Sequence, residues 1–318
     1  MNALQEQTER ATQMVSAPHR RRRARLPSLF GVLAIAPFAL FMAVFGIYPV
    51  VQLIRMAFSD VGLVQGGFTF DFTGGRNLLR ILDDENTLPV VTATLIFVVG
   101  AVALTVVLGT AMAVLLDRAR FFQAFARRVL IWPTVVAPVV VSVIWLLILS
   151  PTIGVLNTVL TAVGLPAQGW LGQPVGAMAS ILLVDVWHWT PLVFLLVYTS
   201  IQSMDREVLE AASVDGAGEG QTIWRIILPM SLPSILAAAA VRLVLSVKSF
   251  DEMYLLTHGG PGNATNLISL HIRTIFFDQL ELGYGAALGF SVILIYAAVG
   301  IAYAFVRILA RRKESTHV

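Results

Sequence analysis

The sequence predicts an all-α integral membrane protein of six transmembrane helices, and three observations predict it. Of 318 residues 57% are hydrophobic and only 13% are charged, about half the roughly 25% usual in soluble domains. Mean hydropathy is +0.79. The apolar residues fall in uncharged runs long enough for a bilayer core of roughly 30 Å, which needs about 20 helical residues.

Taken in order, the first span lies between Leu26 and Ile54 and the second between Thr87 and Leu116, each free of charge. The stretch Val129 to Val184 is also uncharged but too long for one crossing. Pro151, Gly154, Asn157, Gly164, Pro166, Gly169, Gly172 and Pro174 divide it into a third span, Val129–Ser150, and a fourth, Val175–Ile201. Span five runs Leu232–Leu256 and span six Gly285–Val306. Pro133 and Pro138 in span three read as tolerated kinks, with a functional break as the alternative. The first span is too long for a signal-peptide core and lacks a small-x-small cleavage site, so it reads as a retained helix. The domain plan is a polar cytoplasmic tail over 1–25, a transmembrane domain over 26–310 and a second tail over 311–318.

Basic residues set the orientation. Arg20, Arg21, Arg22, Arg23 and Arg25 precede span one; Arg118, Arg120, Arg127 and Arg128 lie between spans two and three; Arg307, Arg311, Arg312 and Lys313 follow span six. The connection between spans three and four has no Lys or Arg. The positive-inside rule then makes both termini cytoplasmic, together with the 2–3 and 4–5 loops.

Several functions are excluded by what the chain lacks. It has no cysteine, so disulfides, thiol catalysis and Cys-ligated metals are absent. Its two lysines, Lys248 and Lys313, sit in no phosphate-binding G-x-x-x-x-G-K-[ST], so the chain should not hydrolyse ATP. His19, His188, His258, His271 and His317 form no H-E-x-x-H pair, and there is no G-x-S-x-G elbow. Gly216-x-Gly218-x-Gly220 follows no strand and is not a dinucleotide fingerprint. The expectation is a transport subunit, not an enzyme, with no cofactor in this chain.

The loop between spans four and five, residues 204–233, is the most informative segment. Asp205 is placed to N-cap a short helix carrying Val208, Leu209, Ala211 and Ala212. Asp215-Gly216 reads as a sharp turn in which Gly takes positive φ. A second amphipathic stretch contains Ile223, Trp224, Ile226, Ile227 and Leu228, and Pro229 and Pro233 should punctuate the start of span five. Two short helices at an angle would form a knob, and Ala211, Ala212, Gly216 and Ala217 are small enough to admit a partner closely.

Glu210-Ala211-Ala212, Gly216, Ile226 and Leu228-Pro229 stand at the spacing of the EAA motif, and the chain resembles the permeases of binding-protein-dependent ABC importers. An ordinary interfacial loop would match one such residue, not this set. The resemblance implies a type I permease fold in which Glu210, Ala211, Ala212, Asp215, Gly216 and Ala217 couple to an ATPase. It also implies a second related permease, two ATPase subunits carrying ATP and Mg, and an extracytoplasmic solute-binding protein.

Further matches favour the carbohydrate branch, similar to the maltose and glycerol-3-phosphate systems. They are Tyr48-Pro49; Pro133, Trp145, Gly154 and Asn157; Gly283-Tyr284-Gly285-Ala286-Ala287; and Leu256-Thr257-His258-Gly259-Gly260-Pro261 through Thr265, where His258 replaces a family glycine. A non-sugar importer, for example for polyamines, is the first alternative. An ion-coupled transporter and a membrane enzyme using Asp185 and His188 are the others.

Charges within spans are costly and point to function or pairing. In span five, Lys248 reaches Asp251 at i+3 and Glu252 at i+4 on a helix, either as a structural ion pair or as a lining of the solute path. In span four, Asp185 and His188 share a face beside Trp187 and Trp189; the aromatic rings either stack on a sugar or pack against neighbouring helices. Tyr254 is a further path candidate, with Ser246 and Ser249.

Overall fold

The structure is a computed structural model that describes residues 29–119 and 123–314. The tail over 1–25 with its six arginines, Arg120, and residues 315–318 lie outside the described residues. The chain divides into two compact units, one ending at Gln52 and one running Leu53–Val318.

The first helix comprises α1 (Leu29–Met42), a π-helical turn (Ala43–Ile47) and α2 (Tyr48–Ala57). Its residues 33–51 are exposed throughout, as suits a surface whose solvent is lipid, and Ala57 at its end is buried. A hairpin follows, β1 (Ser59–Val64) and β2 (Gly67–Phe72), antiparallel with Ser59 opposite Phe72 and Val64 opposite Gly67. Among the described residues the fold is therefore helical with one two-stranded ribbon, where the sequence pointed to helices alone. Then come α3 (Arg76–Asp83), α4 (Thr87–Arg118), α5 (Gln123–Val135), α6 (Pro138–Ile148), α7 (Val155–Ala162), α8 (Pro174–Gln202), α9 (Arg206–Val214) and α10 (Glu219–Thr222). The last elements are a π-helical turn (Ile223–Ile227), α11 (Leu228–Val247), α12 (Asp251–Leu256), α13 (Ile268–Arg273), a third π-helical turn (Thr274–Asp278) and α14 (Leu282–Glu314).

Among the described residues five helices are long and apolar enough to span a membrane, and α5 with α6 makes six if that pair is one span. The pair is bent by 97°, which turns the tolerated-kink reading into a break at Pro138, while Pro133 is accommodated inside α5. The cause is local. A residue before proline is driven from helical to extended backbone, and Ala137 has φ −63° and ψ 139°. Pro138 then starts α6 at the position where its missing N–H costs nothing.

Two further expectations are corrected. Pro229 and Pro233 do not interrupt the chain, because Glu219–Val247 is one continuous helix. The wider π-helical turn just before Pro229 gives its ring room against the preceding turn. Span five also ends early: α11 stops at Val247, Lys248 and Phe250 leave helical geometry (φ −90°, ψ 3° and φ −140°, ψ −47°), and α12 restarts at Asp251.

The helices α4 and α8 form the centre of the second unit. A Cβ on Gly109 of α4 would lie 2.8 Å from Val193 Cβ and 2.9 Å from the Phe194 amide of α8, so glycine sets that approach. Around this axis are two apolar cores. One gathers Phe97, Ala101, Val141, Ile181, Val184 and Met253; the other gathers Ala113, Val193, Phe194, Val197, Ile201 and Ile227.

Several sequence matches gain physical reasons here. Asn157 donates to the carbonyls of Pro151 (3.3 Å) and Gln168 (2.9 Å) and accepts from the Gln168 amide (3.0 Å) and Trp170 Nε1 (3.1 Å), knitting the α6–α8 connection together. A Cβ on Gly154 would meet the Ser150 carbonyl at 2.3 Å, and one on Gly283 the Ser59 carbonyl at 2.4 Å. His258 stands at φ 51°, in the left-handed region that glycine occupies most readily, which explains a glycine in the related pattern.

Candidate functional site

The 204–218 loop is a capped helix closed by a glycine turn. The Asp205 carboxylate accepts from the Glu207 amide at 3.0 Å, starting α9 as the sequence predicted. At the other end the Gly216 amide donates to Ser213 O (3.1 Å) and the Ala217 amide to Ala212 O (2.9 Å). That pair of bonds, with Gly216 at φ +79°, is the Schellman ending, which needs a left-handed residue after the helix. The Gly218 amide then donates to Gln221 Oε1 at 3.1 Å and begins α10.

Leu209, Ile223 and Leu228 root the loop on the core formed by α4 and α8. Glu210, Ala211, Asp215 and Gly216 are exposed, and Ala212 and Ala217 are half-buried. Two large apolar side chains stand out from the same knob: Val214 is 88% and Trp224 74% exposed. The loop thus presents a small-residue ridge with acidic flanks and free apolar contacts, on a rigid base.

A second site lies where α8, α11 and α12 meet the bend between α5 and α6. Arg242 of α11 is fully buried and pairs with Asp185 of α8, also fully buried. His188, one turn from Asp185, places Nε2 3.1 Å from the Val136 carbonyl at the bend, so Nε2 is the protonated donor. Its Nδ1 faces Glu252 Oε1 at 3.6 Å, and Glu252 Oε2 accepts from Ser249 Oγ at 3.2 Å. The Arg242 guanidinium lies 5.8 Å from the Trp189 ring centre, close enough for cation–π attraction. Four ionisable groups from three elements therefore gather inside the protein, with Arg242 and Asp185 paired, while Asp185 Oδ1, His188 Nδ1, Arg242 Nε and Nη1 and Glu252 Oε1 are buried without a hydrogen-bond partner among the described residues.

Beside this network is a cavity of about 250 Å³, lined by Pro138, Trp189, Leu245, Lys248, Ser249, Phe250, Asp251 and Glu252. It opens at the two helix breaks. Lys248 ends α11 and Asp251 begins α12, so the i+3 and i+4 pairing expected of one helix does not form, and among the described residues no ion pair joins Lys248 to either acid.

The path candidates thus separate. Lys248, Asp251 and Glu252 line the cavity; Asp185 and His188 lie in the buried network behind it. Trp187 is 43% exposed and packs edge-on against Trp145 at 5.7 Å. Tyr254 stacks on Phe250 at 5.3 Å and lies under Arg273 at 4.5 Å. Phe250 was not singled out from sequence, whereas Trp189 was read beside Asp185 and His188 and Arg242 among the charges of span five. The signal for Arg242 was its position in a span, where an unpaired guanidinium is very costly.

A second polar cavity, about 490 Å³, lies at the far end of α4 among Arg80, Asp84, Asn86, Asn266 and His271. Here Asp84 accepts from the Tyr284 hydroxyl at 2.6 Å and the Asn86 amide at 2.8 Å.

A helical membrane domain with a projecting capped loop and an open polar cavity defines the class: a membrane-embedded transport subunit. The particular family follows from comparison. Residues 105–314 match the family described as binding-protein-dependent transport system inner membrane component, and the chain belongs to it. Similar proteins include a probable ABC transporter permease, y4oQ, of Sinorhizobium fredii, 33% identical across 89% of this chain and 91% of that one. The sulfoquinovosyl glycerol permease SmoG of Agrobacterium fabrum is 30% identical across 88% and 90%. The trehalose/maltose permease MalF of Thermococcus litoralis is 29% identical across 86% and 92%. A solved bacterial alginate ABC transporter, in complex with its pentasaccharide-bound periplasmic protein, shares the fold at TM-score 0.74, covering 84% of this chain and 90% of that one at 19% identity. The chain is a multi-pass inner-membrane permease subunit and not itself an enzyme.

Proposed function

We propose that this permease imports a sugar or sugar-like solute by alternating access, driven through the 204–218 loop by separate ATPase subunits. The observation that carries the coupling half is the Schellman-closed helix around Gly216, with Glu210, Ala211, Ala212, Asp215 and Ala217 on its ridge. The continuous helix Glu219–Val247 contains 29 residues, a rod of about 43 Å. It leads from that loop to Arg242 and the cavity, so movement of the loop reaches the cavity without passing through a flexible joint.

In this reading both termini and the 204–233 loop are cytoplasmic, as the arginines indicate. Residues 1–25 and 311–318 are tails on a domain spanning 26–310. The partners are a second related permease, two ATPase subunits that hold ATP and Mg, and an extracytoplasmic binding protein. This chain holds no cofactor of its own.

The solute half rests on the relatives named for trehalose/maltose, lactose and sulfoquinovosyl glycerol, and on the cavity chemistry. Lys248, Ser249, Asp251 and Glu252 offer donors and acceptors for hydroxyls, and Trp189 and Phe250 offer apolar ring faces. Asp185, His188, Trp187 and Tyr254 would support that lining from behind or beside it.

The cognate binding protein should be screened by thermal shift against mono- and disaccharides, glycosyl glycerols and polyamines. Each hit is then tested for stimulation of ATPase activity in the reconstituted importer. Stimulation by a sugar alone is the expected result; stimulation by a polyamine alone sinks the sugar assignment, and stimulation by no solute sinks the coupling assignment.

A further inference from the structure

The hairpin Ser59–Phe72 has one aromatic face and one acidic face. Side chains alternate across a strand, and the register pairs Ser59 with Phe72, Val61 with Phe70 and Leu63 with Phe68. These six residues share one face. Asp60, Gly62, Val64, Gly67, Thr69 and Asp71 share the other, with Asp60 directly opposite Asp71 and Val64 at the tip.

Near the helix the aromatic face is covered, since Ser59 and Val61 are buried. The rest of that face is bare: Leu63 and Phe68 toward the tip are 56% and 54% exposed, and Phe72, opposite Ser59 at the base, is 81% exposed. Open apolar area of this kind marks a surface that meets a partner or a membrane.

Its position decides between them. The strand begins two residues after Ala57, where the first membrane helix ends. Asn77 fastens that junction, its Nδ2 donating to Ala57 O at 3.2 Å and Ser59 O at 2.9 Å. The ribbon therefore emerges at the level of the bilayer surface. The aromatic face also turns toward the open side of α2: the Arg55 guanidinium sits 3.9 Å over the Phe70 ring, and Arg55 and Ile54 are both exposed. That side of a membrane helix faces lipid. The two aspartates, which headgroup phosphates would repel, point the opposite way.

We infer that the Ser59–Phe72 ribbon lies in the membrane interface, with Leu63, Phe68 and Phe72 set among lipid headgroups and upper acyl chains and Asp60 and Asp71 toward water. Aromatic residues favour that depth, and the apolar face removes its surface from water there. The ribbon then holds the end of the first membrane helix at a fixed depth.

The chain has no cysteine, so single labels are unambiguous. Leu63→Cys, Phe68→Cys, Phe72→Cys, Thr69→Cys and Asp71→Cys would each carry a nitroxide in the assembled importer in proteoliposomes. Collision rates with oxygen, which concentrates in lipid, and with a water-soluble nickel chelate are then measured. Labels at 63, 68 and 72 should collide several-fold more with oxygen than with the chelate, and labels at 69 and 71 the reverse. Equal access to the chelate on both faces overturns the inference. So does shielding of 63, 68 and 72 from both probes, which marks a protein partner. Labels at Thr69 and Asp71, already exposed, leave the core untouched and keep the comparison readable if one aromatic variant misfolds.

Discussion

Replacing Gly216 by Ala adds one methyl at a place with open space, since a Cβ there meets nothing within 4 Å. The cost comes from the backbone alone. At φ +79° an L-residue with a Cβ is disfavoured by about 1–2 kcal/mol. The Schellman bonds from Gly216 and Ala217 can be kept only in that conformation, so the population of the closed loop falls by a factor of about 5–30. If closure limits engagement with the ATPase, solute-stimulated ATPase activity in proteoliposomes drops by up to that factor. Gly216→Asn should lose less, because Asn visits the left-handed region more easily. Gly220→Ala is the internal control: the same methyl, also in open space, but inside helix α10 with ordinary φ, where Ala is preferred to Gly by about 1 kcal/mol. It should be neutral or stabilising. Full activity in Gly216→Ala, or an equal loss in Gly220→Ala, would refute the reasoning.

Arg242→Met leaves Asp185 buried without its partner and should cost about 3–5 kcal/mol, lowering the thermal unfolding midpoint in detergent; the double variant with Asp185→Leu should recover most of that loss. Gly109→Val forces α4 away from Val193 and Phe194 and should abolish assembly, scored by size-exclusion chromatography of the complex. His258→Gly relieves a left-handed backbone (φ 51°) and should raise the midpoint slightly, by up to about 1 kcal/mol. The buried His271 has its pKa pushed down by desolvation, with Asp84 opposing only in part. The unfolded chain, with His near 6.5, then binds more protons as pH falls, so stability drops as pH is lowered through about 6.5 and is flat above about 7.5. His271→Gln should flatten that slope in a midpoint-versus-pH series.

Much of this fold was legible because lipid demands uncharged length. Thr87–Arg118 and Pro174–Gln202 lie within a few residues of the spans read from uncharged length and from the proline and glycine breaks. The cap at Asp205 and the turn at Gly216 were legible because their chemistry is local. What escaped depends on tertiary partners. The ribbon 59–72 is short, and its alternation competes with glycines at 62, 66 and 67. The ends of α11 and α12 depend on Ser249, whose carbonyl is held by Ser269 Oγ at 2.5 Å, twenty residues away. The pairing of Asp185 with Arg242 joins two spans that no spacing rule connects. By contrast, the 97° bend was open to reading: Pro138 dictates extended backbone at Ala137, and weighing it as a kink understated that effect.

The unbroken helix from Glu219 to Val247 also constrains how the chain can vary in length. One residue inserted between the loop and Arg242 would turn everything beyond it by about 100° and advance it 1.5 Å. Arg242 would then leave Asp185 and swing toward a different neighbour. The connections after α6 and α12 run through turns that can absorb an extra residue, but this stretch has none. Insertions and deletions should therefore be tolerated in those turns and rejected between Glu219 and Arg242, a pattern that a library of single-residue insertions selected for uptake would read out directly.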